Sequence, residues 1–528
     1  MSHKEHRIAK TTDLEDGQMK GYEVDDHKIL LRKIDGEYYA GVGKCPHYGA
    51  SLDGGAMSHE RIVCPWHHAA FDARTGELLE PPATDSLPQY EVKVDGDDVI
   101  VMLPESLPQI KEPEITKRDS DTDERTFVIL GAGAAGNAAA ETLRHDGFGG
   151  RLVMVTKEDN MPYDRPNLTK LFLRGDADAE TVPLRDRDFY EKRDIELVTG
   201  KRARGVDTEQ RSISFDDGDK MNYDALLLAL GGRPRKLDLP GADLDNVFTI
   251  RSLEDAGNLV EAVKGAQRAV VVGASFIGLE TASSLRQHDI PVTVIAPEET
   301  PLQKTVGPEI GRLLQRKHEE QGTVFQLGRT VSRIEGDGKV QRVITTEGDD
   351  IETDLVVFGV GVDPASDTLQ GVEFQTDGSV EVDEHFRAGD GLYAVGDIAR
   401  FPDWRTGQHT RIEHWRTAEQ HGRTAAHNMV GKKTPYRSIP FFWTMQAGMQ
   451  LRYIGHASEW DDFFVDGNID QGKFIAYYVK DDRVLAAAGT GRDADMAALQ
   501  ELMRLDRMPP VQELREGEVD LVKRLAVA

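Results

Sequence analysis

One pattern occurs twice in this chain: an apolar strand, a glycine-rich turn, a helix, then a second apolar strand. The first copy reads "TFVILGAGAAGNAAAETLRHDG" followed by "GRLVMVTKED"; the second reads "RAVVVGASFIGLETASSLRQHD" followed by "PVTVIAPEE". A buried strand that enters a helix through glycines is the unit of an open parallel sheet. The copies lie 142 residues apart (Gly131 to Gly273; 273 − 131). Solenoid repeats are shorter, roughly 20–50 residues. Two separate α/β Rossmann-like nucleotide-binding domains are therefore expected.

In the first copy Gly131, Gly133 and Gly136 form G-x-G-x-x-G. The first glycine permits the turn, the second lets a pyrophosphate approach, and the third packs helix on strand. Glu158, at the end of the next strand, fits the acid that binds ribose hydroxyls. The second copy has Gly273, Ser275 and Gly278, with serine in the middle position and less room for a pyrophosphate. Its second strand ends at Ala296, followed by Glu298 and Glu299, with no arginine close in sequence for a 2′-phosphate. NADH is therefore favoured over NADPH. A strand ending at Gly396-Asp397 in "GLYAVGDIARF" offers a carboxylate to a flavin's ribityl or phosphate oxygens.

Charge excludes one class of partner. Asp plus Glu number 92 against 64 Lys plus Arg, a formal net of −28. Nucleic-acid binding needs a basic footprint. The acidic excess fits self-repulsion in solution, or a salty cytoplasm where charge is screened. The N-terminus has no signal-peptide pattern, and no run reaches the roughly 18 apolar residues of a membrane span. A cytoplasmic location is expected.

The only two cysteines, Cys45 and Cys64, each have a histidine close behind: Cys45-Pro-His47 and Cys64-Pro-Trp-His67. Structural zinc also takes two Cys and two His, usually as C-x2–4-C with H-x3–5-H. Here each loop supplies one of each. That pairing suits a Rieske [2Fe–2S] centre, with thiolates on one iron and imidazoles on the other. The flanking "GASLDGG" and "FDARTGELLEPPA" resemble ferredoxin-type Rieske domains. With no further cysteine there is no disulfide beside the cluster. The expected potential lies low in the Rieske range of roughly −150 to +300 mV. His68 stands where glycine usually follows the ligand histidine; it is expected to shield or hydrogen-bond the exposed iron side.

Residues 1–104 read as a small all-β Rieske domain and 105–125 as a Pro- and charge-rich flexible linker. From residue 125 on, "ILGAGAAG", "MPYDRPNLTK", "LLLALGGRPR", "VVVGASFIGLE", "GVGVDPAS", "LYAVGDIA" and "IEHWRTAEQHGRTAAHNMVG" occur in the order seen in pyridine nucleotide–flavin oxidoreductases. The chain most resembles ferredoxin reductases of dioxygenase systems and apoptosis-inducing-factor-like proteins with an N-terminal Rieske domain. The resemblance implies an FAD domain at 126–247 and 379–434, an NAD domain at 248–378, and a C-terminal α+β domain at 435–528. It implies that Arg165 and Lys170 lie beside the flavin and that Lys170 stabilises negative charge there. Glu280 would face the nicotinamide, Trp415 would stack near the flavin–nicotinamide contact, and Gly361 would belong to a nucleotide-binding turn. Leu230 and Met445 depart from the family pattern. Met445 stands where related reductases often have Asp, which leaves the contacts around it open.

The implied cofactors are FAD, NADH and a Rieske cluster. The implied activity is electron transfer from NADH through FAD to the cluster and on to an outside acceptor. The alternative is an NADH-responsive, slow-turnover interaction protein of the apoptosis-inducing-factor type. A self-contained oxygenase would need a two-His, one-carboxylate iron site. His409 and His414 have a matching spacing but lie inside the FAD segment. A dithiol disulfide reductase lacks its cysteine pair.

Overall fold

The computed structural model describes residues 3–367 and 369–526. The chain forms two compact units. The first comprises 1–114, 437–443 and 451–528; the second comprises 115–436 and 444–450.

The N-terminal part of the first unit is all β. Six antiparallel strands lie in the order His3–Lys10, Asp98–Pro104, Gln89–Asp95, Glu37–Val42, His27–Ile34, Met19–Val24. A smaller antiparallel sheet joins Ala56–Met57, Arg61–Val63, Ala70–Asp72 and Leu78–Glu80. The strand "HKILLRKI" buries Ile29, Leu30, Leu31 and Ile34, so it serves two layers and loses simple alternation. Cys45 and Cys64 sit in the apolar cluster beneath the smaller sheet, with Leu30, Leu52, Ile62 and Phe71.

The C-terminal part carries a five-stranded sheet, ordered Phe441–Gln446, Met449–Gly455, Arg483–Thr490, Lys473–Lys480, Asp462–Asn468. Helices Asp493–Arg504, Val511–Glu516 and Leu521–Ala526 follow. The hairpin tip 444–450 belongs to the second unit.

The second unit contains two parallel sheets. In one, Ile195–Val198, Arg151–Val155, Thr126–Leu130, Ala225–Leu228 and Leu392–Ala394 run parallel, edged by antiparallel Arg387–Gly389. The other is Val247–Thr249, Leu355–Phe358, Ala269–Val272, Val292–Ala296 and Val324–Leu327, all parallel. Their central strands are buried on both faces, which is why they read as continuous apolar runs. Gly422 lets the helix Trp415–Met429 press on Ala134–His145; a β-carbon there would come within 2.1 Å of the Ala135 carbonyl oxygen.

Parts of the segment expected to be a flexible linker make backbone hydrogen bonds. Ser86 and Lys111 exchange two backbone hydrogen bonds, at 2.9 and 3.0 Å. Further on, the Thr116 N–H donates to the Arg144 carbonyl (3.0 Å) and that of Asp119 to Gly149 (2.7 Å). The segment carries no helix or strand between Pro104 and Thr126, in keeping with its polar composition. Among the described residues no helix is long and apolar enough to cross a membrane.

Candidate functional site

The Cys45 and Cys64 loops are built alike. The Cys45 N–H donates to Ala50 (2.8 Å) and the Gly49 N–H back to Cys45 (2.9 Å). The Cys64 N–H donates to Ala69 (2.9 Å) and the His68 N–H back to Cys64 (3.2 Å). Each sulfur faces two backbone N–H groups: those of His47 and Tyr48 at Cys45, and of Trp66 and His67 at Cys64. The neighbouring Cys64 and burial push the Cys45 thiol up. Burial also pushes Cys64 up. Cys45, the two N–H groups and the Arg452 guanidinium outweigh it and leave Cys64 below the usual thiol range.

The two imidazoles converge: Nδ1 of His47 and Nδ1 of His67 are 3.0 Å apart. Metal–nitrogen bonds of roughly 2.0–2.1 Å to one shared ion give about this separation. Burial depresses His47 to about 3, so its ring is neutral and able to ligate. Two thiols and two nitrogens in two matched loops fit a [2Fe–2S] cluster: Cys45 and Cys64 would hold one iron, His47 and His67 the other. Outside the ligands, Tyr48 stacks on His47 (3.9 Å between centroids) and Trp443 lies against His67 (4.3 Å). His68 does not cover the iron side, as the sequence led one to expect. Its ring is buried against Phe441 and Gln500, because its backbone is left-handed (φ 57°) and turns the side chain away.

The first dinucleotide turn is shaped for a ligand. A β-carbon on Gly136 would fall 1.9 Å from the Gly131 carbonyl oxygen, and one on Gly131 (φ 112°) 2.1 Å from that of Ala229. One on Gly133 would meet no protein atom within 4 Å. Gly133 caps the helix Ala134–His145 without a side-chain hydrogen bond, so the first-turn N–H groups face that space. This is a cradle for pyrophosphate, and it fits FAD. The second turn differs. Gly273 and Gly278 are also closely packed: a β-carbon on either would fall 2.3 Å from a carbonyl oxygen, that of Gly359 or of Gly273. Ser275, however, caps its own helix, accepting from the Gly278 N–H at 3.2 Å. That hydroxyl occupies a donor which a phosphate would otherwise use.

Around the first turn the expected residues are tied together. The Glu158 carboxylate accepts from the Tyr163 hydroxyl (2.6 Å) and pairs with Arg165 (3.1 Å). Burial pushes Glu158 up, but Arg165 and Tyr163 hold it below the usual range. Arg165 also donates to the Arg251 carbonyl. Arg251, which the sequence did not single out, pairs with Asp397 at 2.7 Å. Gly396 (φ 71°) makes the turn before Asp397. Trp415 opens its helix, half-buried on the FAD-domain core.

Lys170 lies in a π-helical turn, Leu168–Phe172, a feature frequent at functional sites. Its Nζ is 2.8 Å from Glu280 Oε2, with both side chains mostly buried. The Thr169 hydroxyl donates to Glu280 Oε2 (2.6 Å) and that of Thr444 to Oε1 (2.7 Å). Met445 itself takes a long contact from Gln450 Nε2 at its sulfur (3.9 Å), while its neighbours bond inward: Thr444 on Glu280, and Gln446 to His318 (2.8 Å). Glu298 follows the strand Val292–Ala296, and its carbonyl accepts from the Gly328 N–H (3.1 Å). Arg329, distant in sequence, reaches this strand end: its N–H donates to Ala296 (3.1 Å), while its side chain pairs with Asp349 (3.3 Å). Gly361 (φ 97°) turns the chain before the short strand Val362–Pro364.

Three family models match the chain: Pyridine nucleotide-disulphide oxidoreductase over 125–422, Rieske [2Fe-2S] domain over 4–91, and Reductase C-terminal over 441–525. Apoptosis-inducing factor 3 of Mus musculus is 35% identical over 528 residues, covering 98% of this chain and 86% of its own. Rhodocoxin reductase of Rhodococcus erythropolis is 32% identical, covering 76% of this chain and 94% of its own. The ferredoxin reductase for the CYP199A2 system from Rhodopseudomonas palustris superposes with a TM-score of 0.73. It is 29% identical, covering 76% of this chain and 100% of its own.

Proposed function

The chain belongs to the pyridine nucleotide-disulphide oxidoreductase family, and from that premise we propose that its own Rieske domain is the electron exit toward a separate acceptor of the oxygenase, cytochrome or ferredoxin class. Electron transfer of the ferredoxin–NAD reductase type, with FAD, NADH and a Rieske cluster as cofactors, is the activity of this architecture. When bound, the flavin accepts hydride as a two-electron unit and releases electrons singly to a one-electron cluster.

The observation that carries the reading is the donor set. Two buried thiols and two imidazole nitrogens 3.0 Å apart occur in the same chain as two dinucleotide folds. The protein's part is position and charge. Gly131, Gly133 and Gly136 would admit the FAD pyrophosphate to a helix N-terminus. Glu158 would keep acceptor capacity for ribose hydroxyls beside Tyr163 and Arg165. Asp397, held by Arg251, would hold ribityl or phosphate oxygens. Lys170 would supply positive charge to the flavin, with Glu280 fixing its ammonium. Trp415 would serve the nicotinamide contact. Gly273, Ser275, Gly278 and Gly361 would form the NADH turn. The hydroxyl cap at Ser275 suits a nucleotide that comes and goes, and Glu298 suits a free ribose 2′-hydroxyl more than a phosphate.

A second reading has one observation in its favour: the long match to a relative named Apoptosis-inducing factor 3. In that reading NADH binding alters association, and turnover is slow with every acceptor. Steady-state NADH oxidation separates the two. The exit reading predicts acceptor-dependent turnover with a cytochrome or ferredoxin, lost in Cys64→Ser. Turnover that Cys64→Ser leaves unchanged contradicts it.

A further inference from the structure

The residue four places after each cysteine is left-handed: Gly49 at φ 74° and His68 at φ 57°. Glycine adopts this conformation freely, whereas a residue with a β-carbon is strained in it. His68 is nevertheless fully buried. Its Nδ1 is 2.6 Å from Oε1 of Gln500, on the helix Asp493–Arg504. A carbonyl oxygen only accepts, so Nδ1 donates. The ring stacks on Phe441 with centroids 4.1 Å apart and planes 24° from parallel. The same C-terminal elements hold the rest of this loop. Arg452 Nε donates to the Trp66 carbonyl (3.0 Å) while its guanidinium pairs with Asp493 (2.7 Å). Trp443 covers His67.

We propose that His68 is a positioning residue of the iron–sulfur centre. It keys the Cys64–His68 loop to Gln500 and Phe441, so the all-β domain works fastened to the C-terminal sheet and helices and not as a swinging head. His67, one residue earlier, is thereby presented in one orientation. This rests on reading Cys45, His47, Cys64 and His67 as cluster ligands. The two backbone hydrogen bonds between Ser86 and Lys111 accord with it.

The test uses the full-length, cluster-loaded protein. His68→Gly keeps the left-handed backbone without strain, so the loop retains its means of folding, and only the key is lost. Hydrogen–deuterium exchange of segments 64–71 and 437–443 is read by mass spectrometry, with the cluster's EPR spectrum beside it. His68→Gly and Gln500→Leu should each speed exchange of both segments about tenfold or more and broaden the EPR lines, with iron content kept. The double variant should exchange no faster than the faster single one, since both remove one contact. Exchange and EPR unchanged in His68→Gly, or effects that add in the double variant, overturn the proposal. A wild-type protein without a Rieske EPR signal would instead overturn the ligand assignment, whatever the exchange rates.

Discussion

Trp443 lies against His67 with ring centroids 4.3 Å apart and planes tilted by 41°. On the proposed ligand assignment, an indole against the His67 imidazole would keep water from that edge. A cluster held by two thiolates and two neutral imidazoles would be uncharged when oxidised and carry one negative charge when reduced, and water stabilises the charged form. Trp443→Ala should therefore raise the reduction potential, with Trp443→Phe intermediate. An EPR-monitored redox titration reads this; an unchanged or lowered potential in Trp443→Ala counts against the covering role.

The Lys170–Glu280 pair is buried and hydrogen-bonded by Thr169 and Thr444. Removing one partner leaves an uncompensated charge, at a cost of about 3–5 kcal/mol. Lys170→Met should lower stability by about that amount and slow NADH-driven flavin bleaching about tenfold or more, with FAD still bound. Thr444→Ala, which removes one donor, should cost about 1–3 kcal/mol. Denaturant melts and stopped-flow absorbance measure both.

Two glycines three residues apart should respond differently. Gly133→Ala places its methyl in open space, where no protein atom lies within 4 Å, so stability of the FAD-free protein should hold while FAD affinity falls. Gly136→Ala drives a methyl to 1.9 Å from a carbonyl oxygen and should lower stability by about 1–3 kcal/mol or more. Calorimetry of the FAD-free protein and flavin titration separate them. Equal stability losses in both variants would refute the cradle.

Asp146 has a fully enclosed carboxylate bonded by His427 (2.5 Å) and Lys432 (2.7 Å). Burial pushes it up, but His145, His427 and Lys432 hold it far below the usual carboxylate range. A depressed folded value means the contribution is complete above the unfolded pKa of about 3.9 and is lost as pH falls through the folded one. Stability should therefore drop below about pH 4, and Asp146→Asn should flatten that acid limb. Urea melts at pH 7 and at about pH 2.5 give the comparison; equal slopes for both proteins contradict it.

The proposed ligands and turn glycines could be picked out in the sequence because their chemistry demands close spacing. C-x-H and C-x2-H fall within single loops, and G-x-G-x-x-G within one turn. What the sequence concealed was set by tertiary contact. Gln500 meets His68 from 432 positions away, and Thr444 meets Glu280 from 164. Arg251 gave no signal of its own before its pairing with Asp397 appeared. The linker's polar, proline-rich composition reports loop and does not report where its backbone groups bond. His68 misled because neighbourhood in sequence implied neighbourhood to iron, and a left-handed residue reversed the direction of its side chain.

The central claim is that electrons entering from NADH reach the cluster within one chain. Anaerobic titration of the holoprotein with NADH, followed by visible absorbance and low-temperature EPR, tests it directly. The account predicts flavin bleaching accompanied by a Rieske-type EPR signal that Cys64→Ser abolishes, with flavin bleaching retained in that variant. Full flavin reduction with the cluster still oxidised, at a potential that permits transfer, would contradict it.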